Sequence, residues 1–82
     1  MDERHFQAVA FVIGMVLDSR PSLEFLAQNI EREVCVASAL YPSVDQTRLR
    51  GDVELVLQTS GAALLDPRNR GRRDELIRGV LR

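Results

Sequence analysis

The sequence predicts an all-α protein, a small bundle of about four helices, on three observations. Apolar residues recur every three or four positions along most of the chain, which is the period of an amphipathic helix. Residues that cap or stop helices separate these periodic stretches. The composition, 45% hydrophobic and 28% charged, is that of a globular protein rather than a disordered one. We therefore expect residues 1–82 to form a single helical domain.

The first predicted helix contains residues 8–17, a run of ten residues without a polar side chain. Because every position is apolar, periodicity does not distinguish a buried helix from a buried strand. A helix is favoured, since Phe6 and Gln7 lengthen the segment and residues 18–21 end it. The alternative is an α+β fold in which residues 8–17 and 53–58 are strands.

The second predicted helix, residues 23–41, has the clearest pattern. Its apolar positions have spacings of three and four: Leu23, Leu26, Ile30, Val34, Ala37 and Tyr41. Ser19 or Ser22 is the expected N-cap, and Pro42 is expected to end the helix.

The third predicted helix begins after Ser43 and Gln46, which fit the capping-box pattern. Gly51 is expected to weaken or break this helix, and Gly61 offers a second stop. The alternation of apolar residues within 53–58 is the basis of the strand alternative.

The last part of the chain begins with a turn or helix start at Asp66-Pro67, followed by an arginine-rich stretch, residues 68–73. A short final helix then presents one apolar face, formed by Leu76, Ile77, Val80 and Leu81. Asp74 and Glu75 near its start favour the helix dipole.

The chain offers few residues for catalysis or metal binding. Cys35 is the single cysteine, so it cannot form a disulfide within the chain, and we expect it to be a small buried apolar residue. His5 is the single histidine and lies near a chain start that we expect to be mobile. One cysteine and one histidine do not make a zinc site or a nucleophile pair. We predict no catalytic, cofactor or metal site. Because we expect neither a disulfide nor a metal ion to stabilise this small core, we expect it to gain stability from oligomerisation.

The apolar run predicts a partner. About three short helices are not expected to cover every side of a helix that has no polar face, and an uncovered apolar patch marks an interaction surface. We predict that Phe11, Val12 and Met15 form this contact, in a homodimer or with another protein. The alternative is a compact monomer with the first helix at its centre.

The charge distribution adds a second part to this site. Residues 67–82 contain six arginines and two acidic residues, a net charge of +4, whereas residues 1–66 contain five arginines and ten acidic residues, a net charge of −5. The predicted charged contacts are Arg68, Arg70, Arg72 and Arg73. The predicted function is a small protein–protein interaction module: an adaptor, chaperone, inhibitor or regulatory subunit.

The alternative function is a dimeric regulator that binds nucleic acid through the same arginines. The isoelectric point of about 5.7 argues against it, and so does the absence of aromatic residues from the basic segment. An enzyme is not predicted, because the five glycines are scattered singly and form no phosphate loop. A site built across a subunit interface from Arg48 and Arg50 is a third, weaker interpretation.

The expected location is the cytoplasm, without membrane contact. Residues 8–17 are about half the roughly 20 residues that a membrane-spanning helix requires. The first residues include Asp2 and Glu3, where a signal peptide would be basic.

Overall fold

The computed structural model describes residues 2–19 and 26–82. These residues form four α-helices, with a 3-10 helix directly before the last one: α1 (Glu3–Ser19), α2 (Leu26–Leu40), α3 (Gln46–Leu65), the 3-10 helix (Pro67–Arg72) and α4 (Arg73–Leu81). The described part of the chain contains no strand. The all-α prediction is therefore confirmed, and the alternative with strands at 8–17 and 53–58 is wrong.

Helix α1 packs against α2, α3 and α4. Six residues of the apolar run are buried in the core: Ala8, Val9, Val12, Ile13, Val16 and Leu17. Ala10 and Phe11 are partly buried, and Met15 is 44% exposed. The three other α-helices therefore do not cover every side of this run, as predicted, although they bury six of its ten residues.

Helix α2 follows the predicted period, with Ile30, Val34 and Ala37 buried against the rest of the core. It ends at Leu40, two residues before Pro42, as the restriction on residues that precede proline predicts. The predicted start at residue 23 and the predicted cap at Ser22 lie outside the described residues.

Ser19 belongs to the last turn of α1, where its hydroxyl donates a hydrogen bond to the Val16 carbonyl oxygen at 3.0 Å. The amides that it is predicted to cap lie outside the described residues. The prediction that Cys35 is buried is wrong. Cys35 is exposed on the solvent side of α2, whereas the preceding residue, Val34, faces the core.

Helix α3 begins at a different cap from the predicted one. The Asp45 carboxylate accepts hydrogen bonds from the backbone amides of Thr47 and Arg48, at 2.9 and 3.3 Å, so Asp45 and not Ser43 is the N-cap. The helix continues through Gly51 and Gly61 without a break. Core contacts on both sides of Gly51, from the buried residues Leu49, Val53 and Val56, outweigh the cost of about 1 kcal/mol that a glycine imposes on a helix.

The 3-10 helix and α4 close the bundle against the start of the chain. Asp66 caps the 3-10 helix by accepting a hydrogen bond from the Arg68 amide at 3.0 Å. The Arg78 guanidinium of α4 lies 3.7 Å from the centre of the Phe6 ring and donates a hydrogen bond to Glu3 at 2.8 Å. These contacts attach α4 to the first turn of α1.

Candidate functional site

An open cleft lies at the C-terminal ends of α1 and α3. Leu26, the first residue of α2, and residues at the start of the 3-10 helix and of α4 complete its lining. Its volume is about 920 Å³. The larger apolar residues that line it are Val16, Leu17, Leu26, Leu57, Leu64 and Leu65. Its charged lining residues are Asp18, Asp66, Arg70 and Arg73. An apolar lining with a few charged groups is the usual composition of a binding site.

The end of α3 determines the shape of this cleft. Leu64 is buried, whereas the next residue, Leu65, is 66% exposed at the edge of the cleft. Asp66 then ends the helix, and its backbone amide donates a hydrogen bond to the Ala63 carbonyl oxygen at 3.2 Å. The Asn69 side chain donates to the same oxygen at 2.9 Å. These bonds fold the 3-10 helix back beside the end of α3, which brings Arg70 to the cleft.

Two arginines share one carboxylate at this cleft. The Arg73 guanidinium donates a hydrogen bond to Asp18 at 3.2 Å. A terminal nitrogen of Arg70 lies 3.9 Å from the same Asp18 oxygen. Because two guanidinium groups face a single carboxylate, these three residues together carry one excess positive charge.

A second carboxylate of the cleft is fully engaged by one arginine. Arg68 donates hydrogen bonds from Nε and Nη2 to the two Asp66 oxygens, at 2.8 to 3.2 Å. Hydrogen bonds from the Arg68 side chain and backbone amide hold the pKa of Asp66 below its ordinary value. The same pairing raises the pKa of Arg68. Asp66 therefore stays ionised and adds no unpaired charge to the cleft.

The structure brings together part of the site predicted from sequence. Arg70 and Arg73 line the cleft. Arg68 does not line it but donates a hydrogen bond to Asp66, which does. Arg72 does not line it and instead pairs with Glu75, with 3.2 Å between the two groups.

The apolar half of the predicted site is divided. Val12 is completely buried in the core and cannot contact a partner, which corrects the prediction for this residue. Phe11 is only partly buried and Met15 is exposed, so both remain accessible on α1. Met15 lies three residues before Asp18, which places the two on neighbouring positions of the helix.

Sequence reasoning missed the cleft leucines and the role of His5. His5 is only 3% exposed, and its Nε2 lies 2.5 Å from an Asp52 oxygen. The expectation that this histidine is mobile is therefore wrong. The signal available in the sequence is spacing: His5 lies four residues before Val9 and seven before Val12, which places it on the buried side of α1. This contact joins α1 to α3, and Arg48 lies 3.9 Å from the same Asp52 oxygen.

The arginines of the weaker enzyme interpretation also have intramolecular partners. Arg50 pairs with Glu31 of α2, with 2.9 Å between Nη2 and the carboxylate, and Arg48 approaches Asp52 within its own helix. Within residues 2–19 and 26–82, no three histidine, cysteine or acidic side chains are grouped so that they could hold a metal ion.

None of the described helices combines the length and the apolar character that crossing a membrane requires. Comparisons of this chain with protein-family models, with curated proteins and with solved structures found no match.

Proposed function

We propose that this protein is a small protein–protein interaction module that binds an apolar segment of a partner protein in the cleft. The observation that carries the proposal is the open, leucine-lined cleft with Leu65 exposed at its edge. Exposed apolar surface bordered by charged groups is typical of interaction sites. Adaptors, chaperones, inhibitors and regulatory subunits all fit this description.

The contact surface that we propose differs from the one predicted from sequence. The apolar side chains of α1 are mostly used in the core, so α1 contributes Val16 and Leu17 to the cleft and only Phe11 and Met15 to the outer surface. The residues of the apolar run that stay uncovered, Phe11 and Met15, and the opposite charges of the two parts of the chain support a homodimer as a secondary prediction.

Nucleic-acid binding is the weaker proposal. Each arginine of the predicted cluster has a carboxylate partner within 4.0 Å, in the pairs Arg68–Asp66, Arg70–Asp18, Arg72–Glu75 and Arg73–Asp18. These carboxylates reduce the positive potential that phosphates would meet. Titration of a labelled DNA or RNA duplex at several salt concentrations tests this, since phosphate contacts give a steep dependence of affinity on salt. We expect no binding at physiological salt.

The test of the proposed function compares two exposed leucines. A partner is isolated by affinity purification and prepared in pure form, and its dissociation constant is measured with a fluorophore on the exposed Cys35. We expect Leu65→Glu to weaken binding about tenfold or more, because the charge would enter the apolar contact. The matched control is Leu40→Glu on α2, where the leucine is 59% exposed and outside the cleft.

We expect the Leu40→Glu control to bind within about twofold of the unaltered protein. Circular dichroism and urea unfolding establish that both variants are folded. Equal binding by the two variants would contradict the proposal that the cleft is the contact site.

A further inference from the structure

We infer that the cleft recognises a partner segment in which one carboxylate lies beside apolar side chains, and that Arg70 is the residue that binds this carboxylate. The inference rests on the proposed function and specifies the chemistry of the partner. The observation behind it is that the arginines of residues 68–73 differ in their hydrogen bonds to carboxylates.

Arg70 differs from the other three arginines of the segment. Arg68, Arg72 and Arg73 each donate a hydrogen bond to a carboxylate. Among the residues that the structure describes, Arg70 makes no hydrogen bond to a carboxylate, and its nearest one, on Asp18, is 3.9 Å away. The exposed fraction of its side chain is 77%. Its guanidinium therefore has donors available for an incoming carboxylate, which arginine can bind through two parallel hydrogen bonds.

Arg73 keeps Asp18 from neutralising Arg70. The exposed fraction of the Arg73 side chain is only 23%, and its guanidinium donates to Asp18 at the shorter distance of 3.2 Å. The Nε atom of Arg73 is buried without a hydrogen-bond partner. A carboxylate of a partner bound at Arg70 would offset the excess positive charge of Arg70, Arg73 and Asp18.

The rest of the molecule limits the partner to few negative charges. Residues 1–66 carry a net charge of −5, so a polyanion would be repelled by most of the surface. The cleft lining includes five leucines, which an apolar segment would cover and a nucleic acid would not. A peptide segment with one acidic residue next to leucine, isoleucine, phenylalanine or methionine fits both conditions.

The experiment is a selection of random 12-residue peptides displayed on phage, against the 82-residue chain. We expect the enriched peptides to combine large apolar residues with an aspartate or glutamate within about four positions. Synthetic copies of these peptides should bind Arg70→Gln about two- to fivefold more weakly than the unaltered protein, the range expected for an exposed ion pair. Arg72→Gln is the matched control, since Arg72 lies two residues away, outside the cleft lining, and it should bind unchanged.

A double-mutant cycle then identifies the contact. Replacing the peptide carboxylate by an amide should weaken binding to the unaltered protein by the same factor and have no further effect on Arg70→Gln. Additive losses would overturn the assignment to Arg70, and so would equal losses in Arg70→Gln and Arg72→Gln.

The outcomes separate this inference from the proposed function. Enriched peptides that lack acidic residues but lose binding in Leu65→Glu would overturn the inference and leave the function supported. If no peptide is enriched, or if the enriched peptides bind Leu65→Glu normally, both are overturned.

Discussion

The two ends of α1 belong to different parts of the molecule. Between Ala8 and Ile13, Val9, Val12 and Ile13 face the other helices and are completely buried, whereas Phe11 is half-buried on the other side. At its C-terminal end, Val16 and Leu17 are also buried, but they line the wall of the open cleft as well. One apolar run therefore contributes both to the interior of the core and to the cleft that we propose as the binding site. The length of an apolar run alone does not show which of these two positions its residues take.

The largest expected loss of stability follows from a substitution on the buried side of α1. Ile13→Ala should lower the free energy of unfolding by about 2–5 kcal/mol, because it removes buried methyl groups and leaves a cavity. Urea unfolding followed by circular dichroism measures this. The control is Met15→Ala on the exposed side of the same helix, which should change the stability by about 0.5 kcal/mol or less. Similar losses in both variants would contradict the assignment of Ile13 to the core and Met15 to the surface.

A smaller effect is expected where the first turn of α1 is attached to α3. His5→Ala should cost about 1–3 kcal/mol, because it removes a buried ring and leaves Asp52 without this hydrogen bond. Arg48→Ala is the control, since its side chain is 62% exposed and its contact with Asp52 is long, at 3.9 Å. A His5→Ala variant as stable as Arg48→Ala would show that the contact does not hold α1 in place.

The smallest predicted effect concerns the cleft end and depends on pH. The pKa of Asp66 is lowered in the folded protein by its bonds to Arg68, so its stabilising effect is present above the ordinary value of 3.8 and is lost as the pH falls through the lowered value. The melting temperature of Asp66→Asn should therefore lie slightly below that of the unaltered protein at pH 7. This difference should shrink as the pH falls below about 4. A difference that stays constant down to pH 2 would contradict the pairing.

The helices could largely be predicted from the sequence, because local signals determine them. The spacing of Ile30, Val34 and Ala37 predicts both α2 and its buried face, and Pro42 predicts its end. The predictions for α3 failed where two local signals competed. Asp45 lies one residue before Gln46 and caps the helix in place of Ser43, and core packing carries the helix through Gly51.

The site could be predicted only in part. The arginine-rich segment was visible as a cluster of charge, but its pairing depends on Asp18, which is more than 50 residues away in the sequence. The cleft is built from the ends of several helices, and helical periodicity does not tell where those ends lie relative to one another. The burial of Val12 likewise depends on the three helices that pack around α1.

The most direct test places the same charge at the cleft and on the outer face of α1. The dissociation constant of the purified partner is measured for Leu65→Glu, at the cleft, and for Met15→Glu, on the outer face of α1. We predict that the first variant binds about tenfold or more weakly and that the second binds within about twofold of the unaltered protein. Loss of binding in Met15→Glu together with normal binding in Leu65→Glu would contradict the account and return the interface to α1.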